Sequence, residues 1–239
     1  MDYSSPLVLE LFDHALQLYL DSEGFFDITV APLSKLWGFA DKKYQVPQPE
    51  EIEDALKYIG MDKIGKENGC LILLPNMELD WGGIAKGLGI DLVSKALKEM
   101  EVTRGFINAG GDLFCWGKNP SNSLWKIGIK HPRKKGFLGV LSVSDLGLAT
   151  TGDYQRYFVK DKVRYHHVFN PHTGYPSRNK QSVTVIGPKT LFCDALSTAL
   201  FASSNPEKII EKYPDYGAII VDSQGNVFTV GKSYLVNPT

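Results

Sequence analysis

Between Thr103 and Val185 the chain reads almost entirely as short strands broken by turns, and no other feature restricts its fold as much. The strand-like runs are Gly105–Asn108, Asp112–Trp116, Trp125–Lys130, Gly136–Val143, Gly147–Thr151, Arg164–Phe169 and Ser182–Ile186, separated by Gly, Asn, Asp and Pro. Helical spacing of apolar residues lies on either side of this block rather than alternating with it: Val8–Leu20, Glu50–Ile59, Gly82–Met100, Leu191–Ala202 and Pro206–Lys212. Without strict strand–helix alternation a doubly wound parallel sheet is disfavoured. The expected class is α+β, with mixed or antiparallel sheets flanked by helices. Two hairpins are expected, Cys70–Leu74 with Met77–Trp81 across Pro75-Asn76, and Ala218–Asp222 with Asn226–Val230 over Ser223-Gln224-Gly225. No repeat or low-complexity linker divides the 239 residues, so residues 1–239 read as one domain.

Charge excludes one class of partner. Lys plus Arg number 26 and Asp plus Glu 27, giving a net charge of -1, which makes no case for nucleic acid. No apolar run is long enough to span a bilayer, and no export signal is visible in the chain as given. Cys70, Cys115 and Cys193 are scattered and odd in number, so they read as small buried apolar residues rather than a disulfide framework.

Chemistry concentrates in a few places, each with a plain alternative. His166–Pro176, HHVFNPHTGYP, attaches three imidazoles to a backbone shaped by two X-Pro steps and Gly174. Such a segment suits proton transfer, or it only decorates a strand end. Asp194 and Thr198, four apart in CDALSTALFA, share a helix face and could hold a hard cation through oxygen, with Ser197 helping more weakly. Alternatively Asp194 caps the helix and Thr198 bonds back to a carbonyl. Asp80–Gly87, DWGGIAKG, sets two glycines before a helix start, with Lys86 able to meet an anion or simply to sit in water. Its spacing is not that of a Walker loop. Asn108–Asp112 carries another glycine pair, a turn or a place of close ligand approach. Thr150–Tyr154 and Arg156 could line a phosphate or ribose, or form an ordinary turn. Phe25, Phe26, Trp37 and Phe39 look like core, as do Trp81, Trp116 and Trp125, but Asp27 among the apolar residues needs a partner.

The order of six segments is more telling than any one of them. GFFDITVAPLSKLWGF, DWGGIAKGLGID, INAGGD, TTGDYQRYF, YHHVFNPHTGYP and CDALSTALF together closely resemble the ApbE family of FAD:protein FMN transferases, over about Gly24 to Phe201. The resemblance implies Mg2+-dependent cleavage of FAD, transfer of FMN to a Thr or Ser hydroxyl of an acceptor protein, and release of AMP. It further implies Asp194, Thr198 and a backbone carbonyl near Gly83 as magnesium ligands. His167 would be the base, and Phe25, Asp27, Asp80, Lys86, Asp112 and Thr151 would line the FAD site. Asn170 stands where the family usually shows aspartate, and asparagine should still hold the turn. Family members normally carry a further segment before the first helix that contacts the flavin. Its absence from this sequence leaves a wall of the site to be supplied, for instance by a second copy in a homodimer. The family usually works on the outer side of the cytoplasmic membrane. Hydrolysis of FAD to FMN and AMP, or binding of FAD without turnover, are the competing functional expectations.

Overall fold

One strand explains the layering. Lys180–Gly187 (β10) is buried along its whole length, so both of its faces must be covered. In the computed structural model, which describes residues 5–234 and 236–237, it sits inside a six-stranded antiparallel sheet. From one edge the order is Val227–Gly231 (β12), Gly217–Asp222 (β11), β10, Leu146–Gly152 (β7), Asp112–Trp116 (β4) and Gly105–Ala109 (β3). Alternation divides the side chains between two cores. Val183, Val185, Ala149, Ala218 and Ile220 face the helix Thr190–Ala202 (α5). Leu148, Ile186, Ile219, Leu113 and Cys115 face a second sheet, built from Trp125–Lys130 (β5), Phe137–Val143 (β6) and the short Val236–Asn237 (β13).

Helix α5 is buried on nearly every side, as its all-round apolar sequence requires. Pro6–Asp21 (α1) packs on it through Leu11, Phe12, Ala15 and Leu18, and Ala85–Glu99 (α4) crosses its N-terminal end. Gly87 permits that crossing. A Cβ there would stand 2.4 Å from the Thr190 carbonyl oxygen. Pro206–Ile210 (α6) closes the far end of α5. A third, mainly aromatic core lies between Ala31–Leu36 (α2), Pro49–Leu56 (α3) and the segment after Tyr165. There Trp37 donates from Nε1 to the Gly174 carbonyl at 3.0 Å, which fixes the turn that Gly174 closes at φ +72°.

The α+β expectation stands, and most of the expected elements are present within a residue or two. Three readings need correction. The first hairpin is Gly65–Glu67 (β1) with Cys70–Ile72 (β2), not a pairing across Pro75-Asn76, and Met77–Trp81 runs without ladder partners. Asn68 and Gly69, both at positive φ, make the tighter two-residue turn and win the register. The strand expected over Arg164–Phe169 ends at His166 (β9, Val163–His166) and pairs with the unforeseen Tyr157–Lys160 (β8) across Asp161-Lys162, again at positive φ. Cys70 is only half-buried, whereas Cys115 and Cys193 are buried as expected, and all three are free thiols. No helix among the described residues is long and apolar enough to cross a membrane.

Candidate active site

A cavity of about 400 Å³ opens where α4, α5, β4, β7 and the chain after β9 converge. It is lined by all ten residues that the family resemblance pointed to, Phe25, Asp27, Asp80, Gly83, Lys86, Asp112, Thr151, His167, Asp194 and Thr198, but not by Ser197 or His166. A larger groove of about 670 Å³ lies along α1 and α4 and contains none of them.

The polar centre is a lysine between two carboxylates. Lys86 Nζ lies 3.0 Å from both oxygens of Asp194, 3.0 Å from Asp112 Oδ2 and 2.8 Å from the Gly82 carbonyl, to which it donates. Lys86 is thus held by two carboxylates, although its side chain stays 44% exposed to water. Burial works against the Lys86 charge, but Asp194 and Asp112 outweigh it and hold the ammonium above its ordinary pKa. Two buried carboxylates against one ammonium leave an excess negative charge, and Asp194 responds. Burial and then the Asp112 charge push its carboxyl up, to about 7, against the pull of Lys86 and the Gly87 N–H. Asp112 Oδ2 is paired with the ammonium by charge at 3.0 Å but lies outside hydrogen-bond geometry.

Asp194 does not cap its helix. That task belongs to Asp91 on α4, whose two carboxylate oxygens accept from the Thr190 and Leu191 N–H groups, both at 2.9 Å. Asp194, one turn further in, is left to face the cavity. The hydroxyls beside it form a directed chain. Ser197 donates to the Asp194 carbonyl at 2.8 Å, so its oxygen must accept from Thr151, 2.7 Å away. Thr151 can then only accept from Thr198, at a long 3.3 Å. The Thr198 oxygen keeps its lone pairs free, and the bare Gly83 backbone passes close to it, since a Cβ on Gly83 would stand 3.2 Å from that oxygen. Two carboxylates against one ammonium, together with a hydroxyl whose lone pairs are free, supply oxygen donors and negative charge that fit a hard cation such as Mg2+. No group of three or more His, Cys, Asp and Glu among the described residues forms a closed metal cage, so such an ion would complete its shell from water and substrate.

The two adjacent histidines have opposite roles. His166 is buried, donates from Nε2 to the Ser177 carbonyl and accepts at Nδ1 from the Val168 N–H at 3.3 Å, which makes it a structural neutral imidazole. His167 faces the cavity. Its Nδ1 is 3.2 Å from the Arg156 carbonyl, which can only accept, so the proton sits on Nδ1 and Nε2 is the free base. Burial, followed by the Arg156 charge, pulls its pKa down to about 4. Asn170 holds the following turn as expected, accepting from the His172 N–H at 2.9 Å.

Arg156 also lines the cavity and has no carboxylate partner among the described residues; its guanidinium donates to the Phe39 carbonyl. The only sequence signal for it was its place after Thr150–Tyr154. Asp27 caps a short turn by accepting from the Thr29 N–H at 2.7 Å and hydroxyl at 2.6 Å. Burial raises it to about 6 in spite of those bonds. Asp80 accepts from the Gly82 N–H at 2.8 Å and so shapes the glycine turn. Phe26 is buried in the core and also borders the cavity, and beside it Phe25 meets the His172 ring edge-on at 4.8 Å between centroids.

Known proteins are similar to this chain in sequence and in fold. A sequence model described as the ApbE family matches residues 3–220. A Haemophilus influenzae protein named FAD:protein FMN transferase is 35% identical over 198 residues, covering 78% of this chain and 57% of that protein. The Escherichia coli K12 protein of the same name is 29% identical over 255 residues, covering 98% of this chain and 71% of that one. Among solved structures, an ApbE protein from Thermotoga maritima superposes with a TM-score of 0.88 at 35% identity, over 95% of this chain and 76% of that one. The Pseudomonas stutzeri flavinyl transferase ApbE superposes at 0.82 and 32%, over 98% and 73%. The chain spans between 57% and 61% of the length of the first three curated relatives it matches.

Proposed function

The chain belongs to the ApbE family, and from that premise we propose that it transfers FMN from FAD to a Thr or Ser hydroxyl of an acceptor protein, with Mg2+ bound and AMP released. The observation that carries this reading is one cavity shared by a neutral, Nε2-basic His167 and the Lys86–Asp112–Asp194–Thr198 cluster.

Asp194, Thr198 and the Gly83 backbone would hold the metal, and its charge would neutralise the diphosphate. Lys86 and Arg156 bring cationic donors to the phosphate oxygens. Phe25, Phe26, Val30 and Phe169 give the cavity an apolar wall against which a flavin ring can rest. Nε2 of His167 takes the proton of the acceptor hydroxyl as its oxygen bonds to the FMN phosphorus. The phosphoanhydride bond to AMP breaks, and AMP leaves with the bonding electrons. A base of this kind contributes roughly 10²–10⁴-fold. Burial of the imidazole keeps it unprotonated at neutral pH, which is the state the role requires.

The test incubates the purified chain with FAD, MgCl2 and a small acceptor domain, following flavin fluorescence in gels together with AMP release. Labelled acceptor with stoichiometric AMP is expected. His167→Ala should abolish labelling and spare FAD binding. AMP without labelling in the parent protein would replace transfer by hydrolysis. FAD binding with neither product would reduce the chain to a flavin-binding module.

A further inference from the structure

Asp153, in the segment Thr150–Tyr154, does not line the catalytic cavity. It is 7% exposed, directly follows β7 and joins three other elements. Arg133, in the β5–β6 turn, takes both of its carboxylate oxygens, with Nη1 at 2.7 Å from Oδ1 and Nη2 on Oδ2. Arg164 of β9 donates to Oδ1 at 3.3 Å. The Asp153 N–H donates to the Gln181 carbonyl of β10 at 3.1 Å, which fixes the residue to the central sheet. A buried carboxylate facing two guanidiniums adds little stability over an apolar cluster of similar size, so stability alone does not account for it.

The hairpin that Asp153 grips leads into His167. Strands β8 and β9 pair only with each other among the described residues and join neither larger sheet. A lone hairpin is marginal in water and takes its position from what it packs against. One face rests on the aromatic core through Phe158 and Tyr165, whose rings stack at 5.2 Å. Alternation puts Arg164 and His166 on the opposite face, where the Arg164 guanidinium lies over the Tyr157 ring at 4.2 Å. At the open end of the hairpin the Arg156 carbonyl accepts from the His167 N–H at 3.2 Å and from Nδ1 at 3.2 Å. That one carbonyl sets which ring nitrogen keeps the proton. Asp153 lies three residues before Arg156, and its partner Arg164 lies three residues before His167, so one ion pair holds both sides of the contact.

We infer that Asp153 is a positioning residue for the proton transfer: its pair with Arg164 clamps the open end of the β8–β9 hairpin, keeping the Arg156 carbonyl on Nδ1 of His167 and Nε2 free for the acceptor hydroxyl. The inference rests on the proposed transferase reading, because it adds a part to that same site. Arg133 has a different task, which is to anchor the carboxylate to the β5–β6 turn. Without Arg133 the Asp153–Arg164 pair remains, one charge against one. Without Asp153 two guanidiniums face each other in a part-buried site with no carboxylate between them, and their repulsion pushes β9 away from the end of β7.

The experiment uses the full chain labelled with 15N-histidine. It compares the parent with Asp153→Asn, Arg164→Gln, Arg133→Gln and the Asp153→Asn/Arg164→Gln double variant. Long-range 1H–15N spectra read the tautomer of each histidine, and His167 is assigned by its loss in His167→Gln. Kinetics with FAD and an acceptor domain give kcat and KM, and urea unfolding gives stability. Asp153→Asn should bring in a His167 population protonated on Nε2, lower kcat about tenfold and leave KM for FAD within about twofold. Arg164→Gln should do the same, and the double variant should be no worse than Asp153→Asn, because both remove one clamp. Arg133→Gln should lower the urea midpoint yet spare the tautomer and kcat, which a merely stabilising cluster would not do. If Asp153→Asn does not fold, Arg164→Gln, which removes only the 3.3 Å bond, settles the matter. An unchanged His167 tautomer in a folded Asp153→Asn or Arg164→Gln chain overturns the inference. Loss of kcat by all three single variants in proportion to lost stability overturns it as well. Absence of both labelling and AMP release in the parent instead refutes the transferase reading, and the spectra still decide whether Asp153 sets the His167 tautomer.

Discussion

Asp91→Ala should show how much the catalytic helix depends on a cap supplied by another element. The carboxylate accepts two charge-assisted bonds, at 2.9 Å each, from the first N–H groups of α5. Loss of a side-chain cap costs about 0.5–2 kcal/mol. A charge-assisted bond to a buried group raises that toward 1.5–3 kcal/mol, because Thr190 and Leu191 are almost completely buried. The negative charge also opposes the positive end of the helix, adding about 0.3–1 kcal/mol. Asp91 itself borders an open groove, so water can partly replace it, which favours the lower half of the range. The expected loss is about 2 kcal/mol. For a chain of this length that is a fall in Tm of about 4–8 °C. Urea unfolding should show the same loss as a lower midpoint at unchanged slope. Asp91→Asn, which keeps one acceptor and loses the charge, should fall between parent and alanine variant. Fraying of the first turn also loosens Asp194, so the Mg2+ titration should move to higher concentration. A loss below 0.5 kcal/mol, or a Mg2+ titration that stays put in a clearly destabilised Asp91→Ala, would refute the reasoning.

His167 should titrate near 4 rather than 6.5 in a histidine NMR titration of the metal-free protein, and the acid limb of kcat should be displaced below 6 accordingly; a His167 resonance titrating at 6.5, assigned by its loss in His167→Gln, would contradict the buried-base assignment. Asp27 has a folded pKa of about 6 against 3.8 unfolded, so its ionisation opposes folding: its own contribution to stability is fully present below about 4 and is lost as pH rises through 6, by on the order of 3 kcal/mol. Asp27→Asn should flatten the stability profile over that window, measured by urea unfolding at a series of pH values. Lys180 is buried, donates to the Ser203 carbonyl at 2.6 Å and so places a cation at the C-terminal end of α5. Lys180→Met should cost about 1–2 kcal/mol without altering FAD affinity; an increase in stability would mean that burying the charge costs more than the cap returns.

Local patterns carried well from sequence to structure where their cause is local. The all-round apolar run of α5, the strand–turn block and the X-Pro steps around Asn170 need only neighbouring residues to express themselves, and each lies where it was expected. Errors fell on turn chemistry. Asn68-Gly69 and Asp161-Lys162, with both residues at positive φ, pair the strands around them, while Pro75-Asn76, with only Asn76 at positive φ, joins no ladder. A proline signals a turn but not which strands the turn will join.

The sequence by itself determined which residues carry charge or a proton-accepting ring, the class of fold, and the family, because ordered motifs survive as a string. Tertiary structure alone decided what those residues do to one another. Lys86 meets Asp194 across 108 positions of chain only because Gly87 lets α4 cross the start of α5. Asp91 takes over the cap, so Asp194 is free. Of two adjacent histidines, one is spent on the Ser177 carbonyl and the other keeps Nε2 for chemistry. Burial, hydrogen-bond direction and the balance of charge in a cavity depend on distances in space, and a linear pattern does not contain them.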